Sequence, residues 1–336
     1  MLCDLKMKVS VAMITYNHEE FIAKALDSVL MQETNFDYEI VVGEDCSTDN
    51  TRNILIGYQE RYPDKFRLFL NEKNLGAHRN FVQVHQACQG KYIALLEGDD
   101  YWTSPQKLQK QADFLDIHPE CAICFHNARI IHTPPNVLPL ISGNRDYCSP
   151  NQKEFSTVED LLEKDFIPTC STMFRRGLFG DFPDWIYPLK MGDWPLHILN
   201  ALHGNIGYIN EVMGVYVINS GGVWTRMRLN WEEHDKAMIE FYDALSIHLE
   251  FKYKKIIDRK LSNLCLHLAE KYEDKGDLEK AKAFTTRGFT KHFLISRRLI
   301  KILLRLYIPI LYKLLRSLKR TTYLIMGKKQ PRYIEG

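Results

Sequence analysis

The sequence predicts an α/β protein in which a mostly parallel sheet is flanked by helices and is followed by an α-helical C-terminal region. Three observations lead to this fold class. Short apolar runs alternate with segments of helical spacing as far as residue 131. Polar clusters follow several of these runs, and beyond Leu229 the pattern is wholly helical. We therefore expect two domains, residues 1–228 and residues 229–336.

Five apolar runs in the first domain are predicted to be strands, and the segments that follow the first four have helical spacing. Strands that alternate with helices in this way pair in parallel, because each helix carries the chain back across the sheet. The segment 133–155 is rich in Pro, Asn and Ser, and we expect it to be irregular. The predicted strands are Val9–Ile14, Tyr38–Val42, Phe66–Leu70, Tyr92–Leu96 and Cys121–Ile131.

The second half of this domain carries weaker signals. Ser156 and Glu159 have the spacing of a capping box, which predicts a short helix after them. Residues 169–176 are predicted to form a strand, and residues 192–204 a helix with Asp193 at its start. Residues 208–224 resemble two short strands before a Gly-Gly turn.

Composition excludes some classes of function. The formal net charge is only +2, so the charge of the whole chain does not indicate binding to nucleic acid. The eight cysteines lack the density or spacing of a disulfide framework, and a reducing, cytoplasmic setting is expected. Cys121 and Cys124 have the spacing of half a zinc site, but their apolar run favours two small core residues of a strand. The first residues lack the apolar core of a signal peptide.

The C-terminal region is strongly basic. Residues 280–334 contain fifteen Lys and Arg and no Asp or Glu. Residues 264–284 resemble one helical hairpin of the tetratricopeptide type. Charged residues interrupt residues 297–320 too often for a membrane-spanning helix, so we expect a basic amphipathic tail, about residues 291–329, to lie on an anionic membrane surface. A solvated or partner-binding basic helix is the alternative.

Three polar clusters follow predicted strands. They are Tyr16 with Asn17, Glu44 with Asp45, and the acidic turn Glu97–Asp100. In open α/β sheets, ligands bind beyond the carboxyl ends of the strands, so the three clusters are expected to line one crevice. Any one of them alone could be an ordinary polar loop. Their common position after strands favours a site.

The acidic turn has the chemistry of a divalent-metal site. Glu97, Asp99 and Asp100 would repel one another unless a cation offset their charge. Hard oxygen ligands suit Mg²⁺ or Mn²⁺, and such an ion could neutralise a diphosphate and stabilise it as a leaving group. An acidic turn that caps the next helix is the alternative interpretation.

Taken together and in order, five segments resemble the family 2 glycosyltransferases of the GT-A fold. The resemblance covers about residues 7–228 and implies transfer of a sugar from a nucleotide-diphosphate sugar, usually with inversion at the anomeric carbon. It further implies that the acceptor is a glycan or a lipid-linked hydroxyl, used in building a surface polysaccharide on the cytoplasmic side of a membrane. The segments are "VSVAMITYN", "YEIVVGEDCSTDNT", "NLGAHRN", "YIALLEGDDYW" and "GDWPLHILNALHGNIGYI".

The resemblance also implies roles for residues of the nucleotide side. Tyr16, between Thr15 and Asn17, would stack on the base, and Asp45 would accept a hydrogen bond from the base N–H, as in relatives that use UDP-sugars. Arg79 would face the base or the diphosphate. Its alternative is a surface arginine of a helix.

The remaining implied residues lie around the sugar. Asp99 would meet the ribose or the water shell of the metal, Asp100 would bind the metal itself, and Glu97 replaces the first Asp of the family signature. Ser171 and Thr172 would border donor and acceptor. Asp193 would be the catalytic base that takes the proton of the acceptor hydroxyl; relatives often have an acidic pair there, whereas this chain has Gly192 first.

One departure affects the metal. Relatives often read Tyr-Arg-x-His before the Gly-Gly turn, where this chain has Val217 and Asn219 in place of Arg and His. An Asn side chain is a poorer metal ligand but can hydrogen-bond a phosphate. A non-catalytic binding or scaffold protein is therefore the second hypothesis. A nucleotidyltransferase ranks last, because "TYNHEEF" offers no glycine-rich phosphate loop.

Overall fold

The computed structural model describes residues 7–133, 145–219, 222–291 and 297–312. The chain packs as two compact units that divide after Asn230. Each unit is described by itself below. Parts of two predicted segments, residues 133–155 and the basic tail, lie outside the described residues.

The strands of the first unit form one mixed sheet, in which the order is β3-β2-β1-β4-β9-β6-β10-β5, with β7 beside β6 and β8 beside β10. β1 pairs in parallel with β2 and β4, β2 with β3, and β6 with β10, whereas β9 is antiparallel to both of its neighbours. The mostly parallel sheet is therefore confirmed. The strands are β1 Val9–Thr15, β2 Tyr38–Glu44, β3 Phe66–Leu70, β4 Tyr92–Leu95, β5 Tyr101–Trp102, β6 Cys121–Thr133, β7 Arg145–Asp146, β8 Phe155–Ser156, β9 Met173–Arg175 and β10 Asn205–Asn219.

Helices connect these strands and cover the sheet. The apolar residues of the first helix recur at helical spacing, and Ile22, Ala25, Leu26 and Val29 are all buried in the core. β1, β2 and β4 supply the buried strand residues against which they pack. The helices of this unit are α1 Ile22–Leu30, α2 Thr51–Arg61, α3 Ala77–Ala87, α4 Lys107–Ile117, α5 Val158–Glu163, α6 Asp193–Ala201 and α7 Val223–Leu229.

Three local predictions for the second half differ from the structure. The capping box is formed one residue later than predicted, by Thr157 and Asp160, because Ser156 pairs with Ile206 in the sheet. Residues 169–176 contain a single 3₁₀ turn, Thr169–Ser171, before the short strand β9. The segment predicted as two strands is one long strand, β10, whose register against β6 shifts twice between Ile209 and Gly214.

Cys121 and Cys124 lie in β6 and are 1% and 0% exposed. Their interpretation as small core residues of a strand is confirmed. Burial raises the pKa of the Cys121 thiol to about 11. A neutral thiol of this kind acts as a small hydrophobic group.

The second unit is helical in its described residues, and its helices are α8 Trp231–His248, α9 Lys254–Asp274, α10 Leu278–Lys291 and α11 Arg297–Tyr307. α9 and α10 form the predicted antiparallel hairpin around Gly276, which has a φ of 81°. Only glycine adopts this left-handed conformation without steric cost, so the tight turn requires it. No helix among the described residues is long and apolar enough to cross a membrane.

A close approach of backbones fixes where β4 begins. The Gly90 N–H donates to Ser10 Oγ at 2.8 Å, and that hydroxyl donates to the buried Glu39 carboxylate at 2.6 Å. A Cβ atom on Gly90 would lie 2.5 Å from the Ser10 nitrogen and 2.7 Å from the Val9 carbonyl carbon. Both are backbone atoms of the central strand β1, which cannot move without disturbing its neighbours.

We expect Gly90→Ala to lower the free energy of unfolding by about 1–3 kcal/mol, because the added methyl group overpacks the β1–β4 junction. Gly57→Ala is the matched control. A Cβ there meets no atom within 4 Å, and alanine favours the helical conformation of α2. Urea denaturation of both variants measures the difference, and equal stability of the two variants would contradict the close approach.

Candidate functional site

The acidic turn Glu97–Asp100 follows β4, and its last carboxylate points into the protein. Asp100 is 2% exposed, and its Oδ1 atom accepts a hydrogen bond from the Val217 N–H at 2.8 Å. Its Oδ2 atom is buried without a hydrogen-bond partner among the described residues. Burial, and then the charges of Asp99 and Glu97, raise the pKa of Asp100 well above its usual range.

Asp99 is the more accessible neighbour. Its Oδ2 atom accepts a hydrogen bond from Asn219 Nδ2 at 2.7 Å and lies 3.9 Å from His18 Nε2. The structure thus joins Asn219 to the acidic turn through a side-chain hydrogen bond. His18 was missed from the sequence, although it lies only two residues after Tyr16 in the same turn.

A cavity of about 140 Å³ lies between Glu97 and Asp193. Most of its walls are apolar, and its polar lining includes these two carboxylates and Thr169. Burial, followed by the charges of Asp99 and Asp193, raises the pKa of Glu97 to about 8. The apolar lining is contributed by Ala12, Ile14, Ala77, Phe81, Val82, Leu95, Leu96, Phe182, Ile186, Met191 and Leu196.

Asp193 begins helix α6 and faces this cavity. Thr169 Oγ1 donates a hydrogen bond to its Oδ2 atom at 2.8 Å, and the Trp194 N–H donates to Oδ1 at 2.8 Å. The positive end of the helix dipole favours a carboxylate at this position. One turn further along, burial lowers the pKa of the His197 side chain to about 4, with the Asp193 charge opposing that effect.

Ser171 and Thr172 do not face the cavity. Both are 0% exposed, and the Ser171 hydroxyl donates to the Pro168 carbonyl at 2.7 Å. The residue of this segment that reaches the site is Thr169, because the 3₁₀ turn directs its hydroxyl toward Asp193. Ser171 and Thr172, which the resemblance implied as contacts, are therefore turned away from the cavity.

The ring of His78 lies beside the point where a side chain at position 192, just before Asp193, would begin. A Cβ at this position would lie 3.3 Å from the Nε2 atom of His78, which is itself 3.0 Å from the Met191 carbonyl oxygen. His78 therefore fills part of the volume that an acidic side chain would need at position 192, and it joins α3 to the loop that carries Asp193.

The loops after β1 and β2 hold each other in place. Asn17 adopts a left-handed φ of 55°, and its side-chain oxygen accepts a hydrogen bond from the Thr48 N–H at 2.8 Å. Tyr16, one residue earlier, is 42% exposed, whereas Thr15 is buried and its hydroxyl lies 3.2 Å from His18 Nδ1. An exposed ring on a fixed turn can stack on a flat ligand.

Asp45 is buried and accepts backbone hydrogen bonds. The Leu75 N–H donates to Oδ1 at 2.8 Å, and the Gly76 N–H donates to Oδ2 at 2.9 Å. Asp45 therefore positions the loop before α3 in addition to any contact with a ligand. Arg79, on α3, is exposed and is not among the residues that line the cavity.

A buried lysine lies behind the acidic turn. Lys107 is 0% exposed, its Nζ atom has no hydrogen-bond partner among the described residues, and it sits 3.8 Å from the centroid of the Trp102 ring. The indole Nε1–H of Trp102 donates to the Cys170 carbonyl at 2.7 Å. Burial lowers the pKa of Lys107 to about 7, an effect that the nearby Cys170 and Cys124 thiols oppose.

This lysine gives a testable dependence of stability on pH. Its folded pKa of about 7 is below the ordinary value of 10.5, so between these pH values the unfolded chain binds a proton that the folded chain does not. Stability contributed by this group is therefore absent below pH 7 and rises toward pH 10.5, by up to about 1.4 kcal/mol per pH unit.

We expect Lys107→Met to remove that rise, because methionine keeps the apolar contact with Trp102 but does not titrate. Urea denaturation of wild type and variant between pH 7 and pH 9 would measure it, and the exposed Lys73→Met serves as control. A stability difference between wild type and Lys107→Met that stays constant over this range would show that the lysine is not buried as described.

Comparisons with known proteins agree with this geometry. Residues 10–181 match the model of glycosyl transferase family 2. An uncharacterized protein of Mycobacterium tuberculosis is 39% identical over 245 residues, which cover 70% of this chain and 67% of that protein. The putative teichuronic acid biosynthesis glycosyltransferase TuaG of Bacillus subtilis is 36% identical over 202 residues, which cover 57% of this chain and 75% of TuaG.

Two solved structures share the fold at low sequence identity. TarS of Staphylococcus aureus, in complex with UDP-GlcNAc, has a TM-score of 0.53 and 19% identity over 85% of this chain and 92% of that chain. The mannosyltransferase PcManGT of Pyrobaculum calidifontis, in complex with GDP-Man and Mn²⁺, has a TM-score of 0.53 and 18% identity over 95% of this chain and 85% of that chain. With the family match over half of its length, the chain belongs to glycosyl transferase family 2 and is a glycosyltransferase of the GT-A fold.

Proposed function

We propose that this glycosyltransferase moves a sugar from a nucleotide-diphosphate sugar, in the first instance a UDP-sugar, to an acceptor hydroxyl with inversion at the anomeric carbon. The observation that carries the proposal is the cavity between Glu97 and Asp193, which lies beyond the carboxyl end of β4. A carboxyl group on each side of a small, mostly apolar cavity can act on a sugar held between them.

Asp193 is the proposed base. Its carboxylate is oriented by Thr169 Oγ1 and by the N–H of Trp194, so it is held in one position at the start of α6. A base fixed in this way can remove the proton of an acceptor hydroxyl as that hydroxyl attacks. His197 stays neutral near pH 7 and does not compete for that proton, since burial lowers its pKa to about 4.

The nucleotide would lie over the loops after β1 and β2. Tyr16 offers an exposed ring to the base, and Asp45 has two carboxylate oxygens close to the same loops. Oδ1 accepts from the Leu75 N–H and from Asn71 Nδ2, whereas Oδ2 accepts only from the Gly76 N–H among the described residues, so Oδ2 keeps capacity for a base N–H. The proposed preference for UDP-sugars rests on the Asp45 carboxylate as the hydrogen-bond acceptor for the base.

The residues of the acidic turn fit a divalent cation, Mn²⁺ or Mg²⁺, that is held partly by substrate. Among the described residues no three His, Cys, Asp or Glu side chains are grouped to hold a metal by themselves. Mg²⁺ typically uses one or two carboxylates together with substrate phosphates. Asp99 is the accessible carboxylate, whereas Asp100 is turned inward onto Val217. When bound, such an ion would stabilise the negative charge of the departing nucleotide diphosphate.

This proposal shifts the metal from Asp100, the residue that the sequence suggested, to Asp99. We expect Mn²⁺ to tighten the binding of UDP to the wild type and to have no such effect on Asp99→Asn. Isothermal titration with and without Mn²⁺ measures the affinity directly, without turnover. An Mn²⁺ effect that persists in Asp99→Asn but disappears in a folded Asp100→Asn would return the metal to Asp100.

The acceptor is proposed to be a glycan or a lipid-linked hydroxyl used in surface polysaccharide synthesis. Support comes from the relatives, since TuaG is named for teichuronic acid biosynthesis and TarS is named as a poly(ribitol-phosphate) β-N-acetylglucosaminyltransferase. We also propose that the enzyme works at the cytoplasmic face of a membrane. The support is the basic composition of residues 280–334.

Release of nucleotide diphosphate from a panel of donor sugars, with a lipid-linked acceptor mixture present, tests the activity. We expect Asp193→Asn to lower turnover by about 10²–10⁴-fold while UDP affinity stays the same, because an amide cannot accept the proton. Asp64→Asn, an exposed position after α2, is the control. Turnover in Asp193→Asn equal to that of the control would show that Asp193 is not the catalytic base.

Binding of UDP without release of nucleotide from any donor would favour the non-catalytic alternative. The specific observation behind that alternative is the bond from Asn219 to Asp99, where relatives often have a histidine. This amide uses one of the carboxylate oxygens that a metal would need.

A further inference from the structure

Helix α11 has one face that is buried inside its own unit. Leu299, Ile302 and Leu306 are at most 9% exposed and follow one another at helical spacing. They pack against α9 and α10. This side of the helix is therefore fully used by the fold.

The basic residues beside this buried face are also used. Arg298 forms an ion pair with Glu270 of α9 at 2.6 Å, and Arg305 lies 2.9 Å from Glu273 of the same helix. Their charges are compensated within the unit. Fewer positive charges are therefore available to a binding partner here than the number of Lys and Arg in the sequence indicates.

The side of α11 next to this buried face is apolar and exposed. Ile300 is 42% exposed, Leu303 36%, Tyr307 53% and Ile310 75%. Ile300, Leu303 and Tyr307, spaced by three and four residues, lie along one side of α11, and Ile310 follows three residues beyond its end. We call these four residues the outer face of α11; Ile308 and Leu311 beside it are also exposed.

Basic residues flank the outer face along the sequence. Arg297 and Lys301 are exposed at its start. Residues 313–336, which follow it directly in the sequence, contain seven Lys and Arg and only one acidic residue. A second copy of the chain would bring the same positive charge against this face, and the like charges would repel. An anionic lipid surface supplies both the apolar layer and the opposite charge.

We propose that the outer face of α11 is the surface that enters the headgroup region of an anionic membrane, with the exposed basic residues contacting lipid phosphates. The inference rests on the membrane location within the proposed function and adds the residues that mediate it. It assigns membrane contact to Ile300, Leu303, Tyr307 and Ile310, and it assigns Arg298 and Arg305 to holding the helix on α9.

Co-sedimentation of the full chain with vesicles tests this surface. The vesicles contain phosphatidylcholine alone or mixed with phosphatidylglycerol. The wild type is expected to bind the mixed vesicles and to be released by high salt. The double variant Leu303→Gln with Tyr307→Gln leaves the net charge unchanged and is expected to bind at least about tenfold more weakly. Ile247→Gln, at a 71% exposed position of α8, is the control.

The outcomes separate the possibilities. Failure of the wild type to bind mixed vesicles would overturn both the membrane location and this surface, while leaving sugar transfer untouched, since no donor is present. Equal binding by wild type and double variant would overturn the outer face alone and leave the charge of residues 313–336 as the attachment. A dimer in light scattering that the double variant abolishes would assign the face to a second copy instead. Circular dichroism checks that both variants keep their helices.

Discussion

The geometry of the site depends on two hydrogen bonds that the last strand makes to the acidic turn. The N–H of Val217 fixes Asp100, and the amide of Asn219 fixes Asp99, so the turn after β4 is held by residues more than a hundred positions away. Three carboxyl groups so close together repel one another whenever they are ionised, and these bonds hold the turn in place. β10 can reach both because it pairs antiparallel with β5, the strand directly after the turn, with Val215 opposite Tyr101. Any change that moves the end of β10 therefore moves the carboxylates.

The second requirement is that loops from distant parts of the chain meet over the sheet. Asp45 ties the loop after β2 to the loop before α3, and His78 at the start of α3 reaches the loop that carries Asp193. The loop after β2 and the start of α6 are thus connected through the first turn of one helix. In this arrangement α3 is more than a cover for the sheet, because its first turn sets the distance between the two halves of the site.

The sheet and most helices were predictable from the sequence because burial repeats with the period of each element. Phe66–Leu70, for example, is the predicted strand and the observed one. The site was only partly predictable. Side-chain type placed Glu97, Asp99 and Asp193 correctly at loop ends, but the direction of Asp100, Ser171 and Thr172 is set by hydrogen bonds to Val217 and Pro168 that no periodicity reveals. His18 and Thr169 were missed for the same reason.

The apolar lining of the cavity between Glu97 and Asp193 would disfavour hydrolysis of the donor sugar. Water is a nucleophile that is always available, and attack by water would waste an activated sugar by hydrolysis. Walls formed by residues such as Phe81, Phe182 and Leu196 offer water few hydrogen bonds, so it is poorly held beside the reactive carbon. An acceptor that brings its own hydroxyl into this space fills it. The same side chains that stabilise the fold would then favour synthesis of a glycan over loss of the donor.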